Sequence, residues 1–414
     1  MEKKQIDIVL LILLLFLFLS PSRFFNGGIY SITVKVISYN NGIFTVGDNI
    51  IILITGYLLL KNHFKAIYFN DFKYYFIILL LVYVYSVFFF GTTIYYFDGF
   101  SELFHYLLSF ILSFFLIQRK EYRQTTFYAI IIAFVLLIIV SPLSMLYFRS
   151  YSNMHRAGTL GLGANDLGSI GSILIIFVIF SWEKKIISKK YLLILFLLGL
   201  LGIGLAASRR TVFIIALFLI VKVVPKNLKK SIFILTTLSV VLLLASNFLL
   251  KFISEHLDVP FFYRINWYLK VHEVFFSDQG RFLYFETFIK NIPNHLLGYG
   301  SLLDTASGLY HFETIHTHDI FLQYFAQYGV LVGSILGVAL IIAILPPFFG
   351  DLELENEQQM IDLTKSYLFT MFISGFFSHP YVYPKEILFL SIFLFMGKFY
   401  LIFVKTKTNE TSMT

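Results

Sequence analysis

The chain contains no cysteine, which removes disulfide bonds, thiol nucleophiles and thiolate metal ligands together. Charge is scarce as well. Only 14% of the 414 residues are Asp, Glu, Lys or Arg, against roughly 25% in a soluble globular protein. The first apolar run, behind Met1-Glu2-Lys3-Lys4, has no small-x-small cleavage pattern at Phe18-Leu19-Ser20-Pro21. It therefore reads as an uncleaved first span rather than a removed signal peptide. There is no H-E-x-x-H zinc motif, and the outer segments hold no D-x-D. Neither an internal repeat nor a low-complexity linker divides the chain.

What remains is apolar. Hydrophobic residues make up 58% of the chain, with a mean hydropathy of +0.80. They come in runs of about 20, the length that crosses the roughly 30 Å of bilayer hydrocarbon. The expected fold class is an all-α integral membrane protein of about 12 transmembrane helices, near residues 5–20, 43–60, 74–91, 101–117, 126–148, 166–182, 191–207, 208–224, 231–249, 329–348, 366–382 and 386–404. The second and eleventh are the weakest. Residues 1–249 hold spans 1–9, 250–328 form one large extracytoplasmic loop in the last third, 329–404 hold spans 10–12, and 405–414 read as a disordered cytoplasmic tail.

A net charge of +8 invites a nucleic-acid reading, but its distribution argues against one. With the N-terminus inside, 19 Lys and Arg fall in inner segments and seven in short outer loops, as the positive-inside rule requires. Both termini are then cytoplasmic. On this reading Lys61 and Arg123 are topology markers, Lys61→Ala leaves activity alone, and the acidic run 351–362 is most simply a solvated connection, with a regulatory role as the alternative.

Chemistry is expected at the outer ends. Ser208-Arg209-Arg210 separates two apolar runs, the second only 14 residues long. To span, that helix must start near Ser208, which places both arginines at the outer headgroup boundary, where their burial costs less than at mid-membrane. Ser208 is a good N-cap. Arginines at a helix N-terminus at phosphate depth make an anion site; the plainer alternative is a helix boundary touching ordinary lipid headgroups. Arg156, Gly158, Gly161, Gly163, Asn165 and Asp166 form a flexible outer connection whose Asp166 suits a helix cap, with a plain turn and a ligand contact both open to it. In the large loop, Arg264 follows Tyr263, and Arg281 opens an amphipathic stretch, with an anion contact and a surface ion pair both open to it. Gly298-Tyr299-Gly300 resembles part of a potassium filter but lacks the preceding Thr-Val, so a channel is rejected. His316 and His318 precede Ile320, Phe321, Tyr324, Phe325 and Tyr328, whose spacing predicts an amphipathic helix running into a span at Val330. Three roles stand open for His318: general base near pH 7, structural histidine, or metal ligand with His316.

The order of these motifs resembles the O-antigen polymerase and O-antigen ligase superfamily of polytopic glycosyltransferases. Arg156-Ala157-Gly158 through Asn165 matches its R-x-G…N segment, and Ser208-Arg209 its Ser-Arg at a helix start. Gly280-Arg281 through Leu297-Gly298-Tyr299-Gly300 is similar to its arginine and "P-L-x-G-x-G" stretch. His318-Asp319-Ile320-Phe321-Leu322-Gln323 through Tyr328-Gly329 is similar to its "H-N-x-x-L…G" helix. Asp319 stands where Asn is usual, and Leu296 where proline is usual.

The resemblance implies a GT-C-like architecture in the bacterial cytoplasmic (inner) membrane, working without metal or other cofactor. The donor would be a glycan on undecaprenyl diphosphate, and the acceptor a hydroxyl of another lipid-linked repeat unit. Arg209, aided by Arg210, and Arg281 would neutralise the diphosphate; His318 would deprotonate the hydroxyl and give inversion. Arg156, Asn165, Arg264 and His316 would bind substrate. Membrane lipids, a flippase and a chain-length regulator are the implied partners, with no nucleic acid. A polymerase of O-antigen, capsule or exopolysaccharide is the reading favoured. An O-antigen ligase shares the motifs, and a lipid-linked oligosaccharide flippase is the rival from another class, although transporters of that kind keep their loops short and show repeat symmetry.

Overall fold

A computed structural model describes residues 6–20, 46–61, 72–74, 96–147, 164–185, 187–206, 208–223, 320–350, 352–354, 357–376 and 384–412, with isolated positions 77, 81, 290 and 298. Among the described residues there are helices and no strands. In chain order they are α1 (Ile8–Leu19), α2 (Val46–Lys61), α3 (Tyr96–Ile117), α4 (Lys120–Tyr147), α5 (Ala164–Lys184), α6 (Lys189–Ala206), α7 (Arg209–Val223), α8 (Ile320–Phe349), α9 (Gln358–Gly375) and α10 (Pro384–Ser412). Helix is the expected answer for such a chain, because in hydrocarbon every backbone N–H and C=O must be satisfied within its own segment. Five of these helices contain stretches long and apolar enough to cross a membrane: Lys120–Pro142, Asn165–Lys184, Lys189–Ala206, Tyr328–Phe349 and Glu386–Lys405. The protein is a helical, membrane-embedded one.

The chain divides into two compact units, residues 134–279 and the remainder. In the larger unit α10 packs along α3, and α8, α9 and α10 pack on one another. Phenylalanine fills the interior. Phe72 stacks on Phe395 at 4.9 Å between ring centres, and Phe18 of α1 lies 4.8 Å from Phe389 of α10. Leu10, Leu14, Leu17 and Phe18 are all fully buried, so α1 is a packed element of this unit.

The smaller unit is built on the antiparallel pair α5 and α6, with α7 packed against α5. Glycines let α5 and α6 close up. A Cβ on Gly171 would stand 2.7 Å from the carbonyl oxygen of Gly199, so only a residue without a side chain fits there. Close backbone approach at small residues is the usual basis of helix pairing in membranes, where no hydrophobic force separates helix from lipid.

Several expectations are corrected. The described residues of the run 351–362 are not a plain solvated connection, since Leu352, Glu357, Gln358 and Asp362 are buried, though Glu353 is exposed. Helix α9 starts at Gln358, eight residues ahead of the expected span, and is buried along nearly its whole length. Its polar residues face protein rather than lipid, which is why hydropathy misplaces its start. The tail after residue 405 is not unstructured as far as Ser412, because α10 continues to that residue. No Gly or Pro follows Gly397, so nothing stops a helix already nucleated in the span.

The helix expected ahead of the apolar run at Val330 is present. Residues 320–328 and 330–349 are two limbs of α8 joined at Gly329, whose φ of 76° and ψ of 173° lie outside any helix. That region of backbone space is essentially closed to residues with a Cβ. The limbs fold sharply together, with Tyr328 packed among Tyr324, Val332 and Leu336.

Candidate functional site

The described part of the site lies where α5 and α7 begin side by side. Helix α7 starts at Arg209, with Ser208 directly before it, as its short apolar run requires. Ser208 stands in the capping position, and its hydroxyl donates to Asn165 Oδ1 at 3.1 Å. Asn165 is the second residue of α5. Its carbonyl oxygen accepts from Arg210 Nη2 at 2.8 Å and from Ser169 Oγ at 3.0 Å. The same Arg210 nitrogen donates to Ser169 Oγ at 2.8 Å. Asn165 and Ser169 sit four residues apart, on one face of the helix.

Gly168 lies between them on that face, as the seat for the corner. A Cβ there would come 2.4 Å from Thr211 Oγ1, 3.2 Å from Ala206 Cβ and 3.4 Å from Ser208 Cβ. Thus the end of α6, the turn and the first turn of α7 all rest on the first two turns of α5. Two helix N-termini adjoin here, and the partial positive charges at their ends reinforce each other. Asp166 lies in the first turn of α5, two residues inside the helix rather than in the capping position expected. Its carboxylate partly offsets that field.

Arg209 is the first residue of α7, one residue from Arg210 and so about 100° away around the helix axis. Gly298, from the Leu297-Gly298-Tyr299-Gly300 motif, has φ 86°, a left-handed conformation that favours glycine. Arg156, Arg264, Arg281, His316 and His318 lie outside the described residues. The structure therefore brings together Asn165, Ser208 and Arg210 of the expected set, and adds Gly168, Ser169 and Thr211. Of these, Ser169 was within reach of sequence reasoning, being one helical turn beyond Asn165.

Polar clusters at helix ends also hold the larger unit together. The Asp7 carboxylate accepts from Lys61 Nζ at 2.6 Å, from the Tyr57 hydroxyl at 3.0 Å and from the Leu10 amide at 3.1 Å. Its own amide donates to Thr125 Oγ1 at 3.0 Å, and Lys61 lies 3.8 Å from Glu121. Burial pushes the Asp7 carboxyl up, but the bonds from Lys61, Leu10 and Tyr57 outweigh it and hold the group below its ordinary value. The hydrogen bond to Asp7 in turn holds Lys61 above the ordinary lysine range.

Arg123 meets Glu357 through two bonds, Nη2 to Oε1 at 2.6 Å and Nε to Oε2 at 2.8 Å. Its Nη1 donates to the carbonyl of Ile117 at 2.6 Å, closing the end of α3, and Tyr400 donates to Glu357 Oε2 at 3.1 Å. In the smaller unit, Lys222 pairs with Glu183 at 2.9 Å, at the end of α5 and α7 opposite the arginines. Lys61 and Arg123 are therefore more than topology markers: each neutralises a carboxylate directly before the start of another helix.

Searches of this chain against protein-family models and against curated proteins find no match.

Proposed function

We propose that the chain is a polysaccharide polymerase of the bacterial inner membrane, transferring a glycan from undecaprenyl diphosphate to a hydroxyl of another lipid-linked repeat unit. The observation that carries this reading is the start of α7: a Ser-Arg-Arg sequence at a helix N-terminus, seated against the N-terminus of α5 by the bonds of Ser208 and Arg210. Backbone N–H groups, two adjoining helix ends and guanidinium groups are what a diphosphate requires.

In the proposed architecture, GT-C-like with about twelve spans and both termini cytoplasmic, this corner faces the outer leaflet together with the loop of residues 250–328. Arg209 and Arg281 bind the diphosphate, and their charge stabilises the negative charge that grows as the sugar–phosphate bond breaks. The bond's electron pair leaves with the diphosphate. His318 takes the proton of the acceptor hydroxyl as its oxygen attacks the anomeric carbon from the opposite face, so configuration inverts. Arginines supply the positive charge, so the chemistry as written calls on no metal.

The test is reconstitution. Purified protein in liposomes, supplied with undecaprenyl-diphosphate-linked repeat units, is expected to lengthen the glycan without ATP or an ion gradient. Glycans that cross the bilayer unchanged in length would instead identify a transporter.

A further inference from the structure

Arg209 and Arg210 are neighbours in sequence, and reading them from the sequence gives both the same task. The geometry gives Arg210 a task of its own. Arg210 Nη2 is engaged twice, with the carbonyl of Asn165 and the hydroxyl of Ser169. That hydroxyl itself donates to the same carbonyl, so the three groups close a small ring of hydrogen bonds across the α5–α7 contact. Ser208 ties the preceding residue to the Asn165 side chain. Gly168 allows the corner to approach so closely that a methyl group would collide with Thr211.

We propose that Arg210, with Asn165 and Ser169, is a positioning device rather than a phosphate contact: it locks the first turn of α7 onto α5 so that Arg209 is presented to the diphosphate. This rests on the diphosphate reading above. It reassigns Arg210 and Asn165 from substrate binding to holding the residue that binds. The physical reason is geometric. A first helical turn frays readily because its N–H groups lack intrahelical partners. An arginine on a fraying turn would pay its ordering cost each time the ligand arrived; an arginine on a fastened turn has paid it in advance.

A binding cycle tests this on the full-length protein in lipid nanodiscs, with undecaprenyl diphosphate as the probe and the thermal midpoint of each variant recorded alongside. Losing a charge-assisted contact costs enough to weaken binding about tenfold or more, so Arg209→Ala is expected to lose at least that much. Arg210→Ala is expected to weaken binding several-fold when Arg209 is present, but by less than about twofold in the Arg209→Ala background, because coupled residues are not additive. Ser169→Ala, a milder change that keeps both arginines, is expected to show the same pattern at smaller size and serves if Arg210→Ala does not fold.

Three results overturn the proposal. Additive losses would make Arg210 a direct contact. Undiminished affinity in Arg210→Ala with a lowered thermal midpoint would make it structural only. Parent protein that binds no better than Arg209→Ala would reject the diphosphate reading itself, and the positioning role would fall with it.

Discussion

Arg123 stands in a connection that hydropathy and charge assign to water, yet it is 6% exposed and bonded to Glu357, 234 residues away. Breaking a buried ion pair from one side strands the other charge and costs about 3–5 kcal/mol, whereas replacing both partners with apolar residues is often close to neutral. Arg123→Ala and Glu357→Leu are each expected to lower the thermal midpoint sharply in detergent, and Arg123→Met/Glu357→Leu to recover most of the loss. Lys61→Ala should also destabilise, by about 1–2 kcal/mol for a charged hydrogen bond, reduced because the lysine is partly exposed and screened. The pH dependence has a definite sign. Asp7 titrates below its ordinary 3.8, so its contribution is present above that pH and is lost as pH falls through the lower folded value. Lys61 titrates above 10.5, so its contribution is complete below that pH and is lost on going higher. Thermal unfolding followed from pH 7 down to about 3 should show an acid loss that Asp7→Asn reduces.

Elements were partly legible. The start of α7 followed from the length of its apolar run, and the helix ahead of Val330 from its amphipathic spacing, whereas the corner at Gly329 was not foreseen. Helix α9 was not legible at its true start: Asp362 and Lys365 look like a loop to any hydropathy window, and only the helices around them make that segment interior. The glycines separate cleanly in their predicted effects. Gly171→Ala would push a Cβ into the Gly199 carbonyl and should cost about 1–3 kcal/mol as overpacking. Gly204→Ala meets nothing within 4 Å and should be neutral or stabilising by about 0.5–1 kcal/mol. Gly329→Ala is expected to lose about 1–3 kcal/mol from backbone strain alone. Comparing the three thermal midpoints in one detergent checks all of them.

At the scale of the molecule, the distribution of Lys and Arg predicts which helix ends share a side. Asp7, Lys61 and Glu121 meet at one end of the larger unit. In the smaller unit, Glu183 and Lys222 meet at the end opposite Asn165 and Arg210. What sequence could not supply was the pairing of distant residues such as Arg123 with Glu357, because charge alone does not name its partner. The loop residues that complete the proposed site, Arg264, Arg281, His316 and His318, lie outside the described residues, so their convergence with Arg209 is the claim to test. The cysteine-free chain makes that test clean. In intact cells with a permeabilised outer barrier, Arg209→Cys and His318→Cys should each react with a membrane-impermeant thiol reagent, and the double variant should be joined by a short bifunctional one. Reaction of the two positions from opposite sides of the membrane would contradict the account.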